Sequence, residues 1–336
     1  MCEISVVTSI YNGEKYIGET IESIIHQTFT DWEYIIIDNA STDASAEIIE
    51  SYAKRDSRIR FYRNRENIGI SANLNQCLDL ASGKYIARTD ADDLSYPERL
   101  QKQFQYMKEH PEVSLLGCRA DIWNNGVSSR PRKKEFMNYN CNETRFALPF
   151  VDFIPASSFF VRKEVLDKFC IRYRPYIYAE DFAYLLDILK HGEIISLAEP
   201  LIVYRVYETQ VTQTVAPEIP HNERINIQCL FLDQFPKEYR DIFHLAFLGE
   251  IHAREDMRKF AEGLLAYANV CGMGNDTEKL AKCQSFRDVY RYIYYWQTGN
   301  MRLLYEYMNS PFREPFWYLQ RKGISLIKQC LLRKAY

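Results

Sequence analysis

The sequence predicts an α/β domain on a mostly parallel sheet, followed by a helical extension. Three observations predict it. β-rich runs alternate with helical patterns through the first 117 residues. The runs end in polar or aromatic letters that should lie along one edge. From about residue 217 the alternation stops and helical periodicity remains. Strands separated by helices need crossover connections, which favour parallel pairing with both faces covered.

The elements follow in order. ISVVTSI (4–10) is a buried-strand pattern, and GEKYIGETIESIIHQ (13–27) sets Ile17, Ile21, Ile24 and Ile25 on one helical face. YIIID (34–38) is the second strand, and STDASAEIIESYAKR (41–55) reads as a capped helix. IRFYR (59–63) and SANLNQCLDLAS (71–82) form the next strand and helix. YIART (85–89) is a strand, PERLQKQFQYMKEH (97–110) a helix with Ser95 and Glu98 spaced as a capping box, and VSLLG (113–117) a further strand. The expected organisation is a domain over 1–215, with halves 1–117 and 118–215, and a helical extension over 216–336. The stretch APEIP (216–220) marks a linker.

Composition narrows the class. The 336 residues carry a net charge of -3, so no global basic field points to nucleic acid. Nine cysteines, with no C-x-x-C pair, fit reduced thiols in a cytoplasmic protein. The first residues hold no basic leader, and no apolar run is long enough to span a bilayer, so neither a signal peptide nor a membrane span is expected.

In open α/β sheets ligands sit at the carboxyl ends of the strands. Here those ends are Thr8-Ser9-Ile10-Tyr11, Asp38-Asn39 and Asp90-Ala91-Asp92-Asp93. TSIYNGEKY follows the first strand with a single glycine, which excludes the G-x-G-x-x-G of a dinucleotide site, and no P-loop is present. Three acids at one strand end repel one another and raise each other's proton affinity. A divalent cation removes the conflict, and hard oxygen ligands suit Mg²⁺ or Mn²⁺ held by one or two carboxylates plus phosphate oxygens. The bland alternative is a solvated acidic turn in which Asp93 or Ser95 caps the next helix.

Residues 5–43, 66–93 and 97–117, with FVRKEVLDKF (160–169) and YAEDFAYLLDILKHGEIISLAEPLIVYRVYETQVT (178–212), closely resemble the family 2 glycosyltransferases. The resemblance covers residues 3 to 212 and implies a GT-A fold and inverting transfer from a nucleotide-sugar. It implies that Thr8 and Tyr11 touch the nucleotide, with the Tyr11 ring on the base, against the alternative of a core aromatic under the first helix. Asp38 and Asn39 would meet the base edge. Asp90 and Asp92 form the family's D-x-D, Asp90 on ribose or metal and Asp92 on the metal. Arg88 would lean on the diphosphate or face solvent, and Asn67 and Asn75 would lie near the donor or close turns.

The resemblance also makes the second acid of YAEDF the general base, which is Asp181, and leaves Glu180 to place the acceptor. One carboxylate suffices for inverting transfer, because the metal assists the leaving diphosphate. The other reading of this pair is that both acids complement a helix N-terminus. Arg205 would meet phosphate, brace Asp181 or form an ordinary ion pair. The chain departs from the family in three places: Asp-Asn-Ala-Ser (38–41) stands for Asp-Asp-Gly-Ser, Ser9 for proline, and Tyr207 for the histidine of Tyr-Arg-x-His. Uridine remains the expected base, with thymidine left open.

The expected function is metal-dependent transfer of a hexosyl or N-acetylhexosaminyl unit from a UDP-sugar (or TDP-sugar) to a saccharide or polyprenyl-diphosphate-linked saccharide, in capsule, O-antigen or exopolysaccharide synthesis. Residues 311–336 hold six basic residues against one acid, interleaved with aromatics, which fits either a peripheral helix at the inner membrane face or a helix docked on the domain. Two rivals differ in class. A nucleotidyltransferase would carry a glycine-rich basic loop after the first strand, and a non-catalytic binding or assembly protein would have no need of Asp90, Asp92 and Asp181 together.

Overall fold

The computed structural model describes residues 2–124, 132–133, 139–210, 218–251, 254–276, 279–280 and 283–292. The strands are β1 (Ile4–Ile10), β2 (Trp32–Asp38), β3 (Ile59–Arg63), β4 (Tyr85–Arg88), β5 (Leu94–Ser95), β6 (Val113–Asn124), β7 (Arg132–Lys133), β8 (Phe160–Arg162) and β9 (Glu193–Val206). The helices are α1 (Ile17–Ile25), α2 (Ser45–Ala53), α3 (Ile70–Leu80), α4 (Arg99–Glu109), α5 (Cys141–Ala147), α6 (Lys163–Phe169), α7 (Glu180–Leu189), α8 (Glu218–Leu230), α9 (Arg240–Leu248), α10 (Arg254–Val270) and α11 (Gln284–Tyr292). One sheet runs β3-β2-β1-β4-β8-β6-β9-β5, with β7 on β6.

Parallel pairing holds from β3 to β4, as the alternation of strands and helices predicts. Beyond β4 the sheet becomes mixed: β8 is antiparallel to β4 and β6, β9 is parallel to β6, and β5 is antiparallel to β9. Because β8 is antiparallel to both its neighbours, this strand does not enter through a βαβ crossover. β2 shows why the first half is buried on both faces: Tyr34, Ile35, Ile36 and Ile37 are all covered. α1 buries Ile17, Ile21 and Ile24 at helical spacing against the same core.

The capping box expected at Ser95 and Glu98 does not form. Ser95 is paired with Ile202 in β5, and α4 starts at Arg99 with Glu98 as an N-cap whose side chain makes no capping bond. The Ser95 hydroxyl instead accepts from Arg99 Nη1 at 2.9 Å. Arg99 is fully buried and also donates to Thr89 Oγ1 and to the Arg88 carbonyl, at 2.9 and 2.7 Å. A buried guanidinium thus holds the backbone at the end of β4, where the three acids begin.

The chain divides into two compact units between Gln234 and Phe235. α8 falls within the first, where it packs against α7, although the sequence places the domain boundary at 215/216. The second unit has its own core, in which Phe235, Phe243, Phe247, Phe260 and Tyr267 are buried. The basic aromatic stretch 311–336 lies outside the described residues.

Candidate active site

The carboxyl ends of β1, β2 and β4 open onto one cleft of about 1350 Å³. Register explains the convergence. Ile10 is level with Asp38, Asn39 N donates to the Ile10 carbonyl at 2.8 Å, and Thr89 N donates to the Val7 carbonyl at 3.0 Å.

The loop after β1 is fastened by the segment after β2. Asn12 N donates to Ser41 Oγ at 2.8 Å, Gly13 N to Ser45 Oγ at 2.9 Å and Glu14 N to Asp43 Oδ2 at 3.0 Å. In return Asn12 Oδ1 accepts from Thr42 N, and Glu14 Oε2 from Ala44 N. This lattice leaves Tyr11 in the cleft with half its surface exposed. That settles its placement: Tyr11 is an open aromatic face and not a core residue. Thr8 differs from expectation. Its side chain is fully buried, and its hydroxyl bonds Tyr34 Oη at 2.9 Å and the Thr89 carbonyl at 2.6 Å, so it supports the floor without lining it.

Asp38 also lies beneath the surface. Oδ1 accepts from Ser41 N at 3.0 Å, and Oδ2, 3.1 Å from Arg63 Nε, is buried without a hydrogen bond. Asn39 does line the cleft. Its Oδ1 accepts from Ile68 N and Asn64 Nδ2, both at 3.1 Å, while Nδ2 donates to Asn67 Oδ1 at 2.8 Å. Asn67 therefore belongs to the cleft. Asn75 does not: its amide exchanges two bonds with the backbone of Tyr173, both at 2.9 Å.

Asp90 and Asp92 both line the cleft, and Asp93 turns away. Asp90 Oδ1 accepts from Arg88 Nε and Oδ2 from Ser157 Oγ, each at 2.9 Å. Asp92 Oδ2 accepts from Tyr207 Oη at 2.8 Å. Asp93 is buried, bonded to Ser157 Oγ and, at 2.9 Å, to Arg205 N. Burial first, then the charge of Asp90, raises the proton affinity of Asp92. Burial, then Asp92 and Asp90, raises that of Asp93 still further.

Arg88 is buried and does not face solvent, although it lines the cleft. It joins Asp90 to Glu180, whose Oε1 is 3.2 Å from Nη2. Arg205 is buried as well, donating to the Asp92 carbonyl at 3.2 Å and to Glu19, between the rings of Tyr16 and Trp123. Of its three expected roles the ion pair is the one realised, and it fixes the carboxylate turn from behind.

Asp181 lies in the first turn of α7 and lines the cleft, with Oδ1 accepting from Phe182 N at 2.7 Å. Burial raises its proton affinity, and Arg88 pulls against that. Glu180 is pushed up to about 7 by burial and then by Asp181. Asp152 was not singled out by the sequence. It lines the cleft and is pushed up to about 7 by burial and then by Asp181. Its only signal is a lone acid in the apolar stretch PFVDFIP (149–155).

The cleft lining thus sets Asp90, Asp92, Asp152, Glu180 and Asp181 against Lys15 and Arg88. Among the described residues no three His, Cys, Asp or Glu side chains converge as a complete metal cage. Two neighbouring hard carboxylates in an acid-rich cleft fit a divalent cation, which would offset the repulsion between such a cleft and a diphosphate.

Residues 5–170 match the family model described as glycosyl transferase family 2. The chain is also 31% identical over 212 residues to the O-antigen biosynthesis glycosyltransferase WbnJ of Escherichia coli, covering 61% of this chain and 80% of that one. This chain belongs to glycosyltransferase family 2. The family 2 chain is 44% identical over 116 residues to the putative glycosyltransferase EpsE of Bacillus subtilis, a match that spans 34% of this chain and only 42% of EpsE. Its fold is shared with S. aureus TarS 1-349, solved in complex with UDP-GlcNAc: the TM-score is 0.60 at 18% identity, over 89% of this chain and 92% of that one.

Proposed function

We propose that this chain is an inverting glycosyltransferase that moves a sugar from a UDP-sugar to an acceptor hydroxyl in the assembly of a surface polysaccharide. The observation that carries the reading is one cleft holding both the Asp90–Asp92 pair and Asp181, from two different elements. Tyr11 offers its face to the base, and Asn39 and Asn67 lie beside it. Asp92, with Asp90, would hold Mg²⁺ or Mn²⁺. When bound, such a cation neutralises the charge that develops on the departing diphosphate.

The chain's own residues do the rest. The acceptor oxygen attacks the anomeric carbon from the face opposite the diphosphate. Its proton passes to Asp181, and the electron pair of the breaking C–O bond leaves with UDP. Arg88 keeps Glu180 and Asp90 in place as this occurs. Raised proton affinity suits Asp181 to the task, because a stronger base accepts the proton more readily.

A UDP donor is supported by the fold shared with a protein solved with UDP-GlcNAc, and polysaccharide assembly by the name of WbnJ. The acceptor is a saccharide, carried on a polyprenyl diphosphate where assembly takes place at the membrane. No helix among the described residues is long and apolar enough to cross a membrane. On its composition, the basic aromatic stretch 311–336 is the proposed peripheral contact. Its deletion should weaken binding to anionic liposomes, and undiminished binding removes that part of the reading.

The test is UDP release from a panel of UDP-sugars with Mn²⁺, with and without EDTA. One donor should support release that EDTA abolishes. Release from none, or release indifferent to EDTA, overturns the reading.

A further inference from the structure

α8 lies beyond the stretch matched by the family model and beyond the last strand, yet it fastens both loops on the Asp181 side of the cleft. Its Glu223 accepts three consecutive backbone N–H groups. Oε1 takes Ile177 N at 2.9 Å, and Oε2 takes Tyr178 N at 2.9 Å and Ala179 N at 3.2 Å. Ala179 is the N-cap of α7 and makes no side-chain capping bond of its own. Asp181 follows two residues later. A carboxylate from a distant helix therefore supplies the anchoring that the local sequence lacks.

Side-chain packing holds only the end of this segment: Ala179 is buried, but Ile177 is 62% exposed. Just before it, Ser71 Oγ donates to the Tyr176 carbonyl at 3.0 Å and Tyr176 N to the Arg174 carbonyl at 2.7 Å. The next turns of α8 grip the facing loop. Arg224 Nη2 donates to the Phe150 carbonyl at 3.2 Å, with its guanidinium 4.3 Å from the Phe182 ring centre, and Gln228 Nε2 donates to the Pro149 carbonyl at 2.8 Å. One helix face thus ties the Asp152 loop to the Asp181 segment.

We infer that Glu223 is a positioning residue for glycosyl transfer: by fixing the Ile177–Ala179 backbone it holds the Asp181 carboxylate where the acceptor hydroxyl must lie. This rests on the reading of Asp181 as general base. Displacing a reacting group by about 1 Å costs up to about 10²-fold in rate, so the effect should be large for a residue that touches no substrate.

The test is a double-mutant cycle on the full chain with Glu223→Ala and Asp181→Asn. It is read by UDP release from the preferred UDP-sugar, with water as acceptor, and by calorimetric binding of UDP with Mn²⁺. Glu223→Ala should slow release about tenfold or more while UDP affinity stays within about twofold. In the Asp181→Asn background the same change should have almost no further effect, because the positioned group is already disabled. Glu223→Gln keeps one acceptor oxygen and should fall between wild type and alanine, which covers poor folding of the alanine variant. Normal release by Glu223→Ala, equal loss of UDP affinity, or additive losses in the cycle would overturn the inference. Undiminished release by Asp181→Asn alone instead removes the base assignment, and the inference with it.

Discussion

Tyr207 donates its phenolic hydrogen to Asp92 Oδ2 over 2.8 Å, at the place where the late family motif has histidine. A phenol is a poor ligand for a divalent cation, but here it favours the ionised form of Asp92 against burial and the charge of Asp90. Its ring also packs on Tyr16, with centroids 4.9 Å apart, so the substitution has been absorbed into the local packing.

Asp92→Asn keeps a partner for the Tyr207 hydroxyl and removes the charge. Mn²⁺-dependent UDP affinity should fall about tenfold or more, because a neutral amide is a weak ligand for a hard cation. The apo protein should melt no lower than wild type, since repulsion from Asp90 is relieved. Calorimetry with and without Mn²⁺ reads the first effect, and unchanged metal-dependent affinity would refute the assignment.

Ala40 has φ of 64°, in the left-handed region, at the position where the commoner family pattern has glycine. An L-residue there is strained by about 1–2 kcal/mol. Glycine relieves the strain but gives back about 0.4–1 kcal/mol through the unfolded chain. Ala40→Gly should therefore stabilise the protein by about 0.5–1 kcal/mol in urea denaturation. Destabilisation would mean that the alanine methyl makes a packing contribution larger than the strain.

These two positions show how far the sequence could be read. The strand ends were legible because continuous apolar runs close on polar letters, which also exposed the Asp90–Asp92 pair, while the part given to the acidic pair opening α7 comes from the family resemblance. Thr8 and Asp38 are buried where the resemblance expects nucleotide contacts, since side chains alternate across a strand and the chain alone does not say which face opens on the cleft. The sequence leaves the roles of Arg88 and Arg205 open and does not single out Arg99, and all three are buried. Arg88 reaches Glu180 and Arg205 reaches Glu19, 92 and 186 residues away, separations no local pattern encodes. Asp152 and Glu223 act through tertiary contacts for the same reason.

Stability should fall as pH rises through neutrality. Asp152 and Glu180 are both pushed up to about 7 in the fold, from ordinary values of 3.8 and 4.5. Each takes up a proton on folding between those limits. Their stabilising contribution is therefore complete below the ordinary values and lost as pH climbs through about 7. The apo melting temperature should drop between about pH 5 and 8, and Asp152→Asn should flatten that slope. A melting temperature that rises over this interval would contradict the burial assigned to both acids.

The central claim is transfer by a single in-line displacement with Asp181 as base, and the anomeric configuration of the first product tests it most directly. With an α-linked UDP-sugar, the anomeric proton–proton coupling in the product, followed by NMR before mutarotation, should be that of the β-anomer. An α-configured first product would mean retention, and would contradict the one-base mechanism.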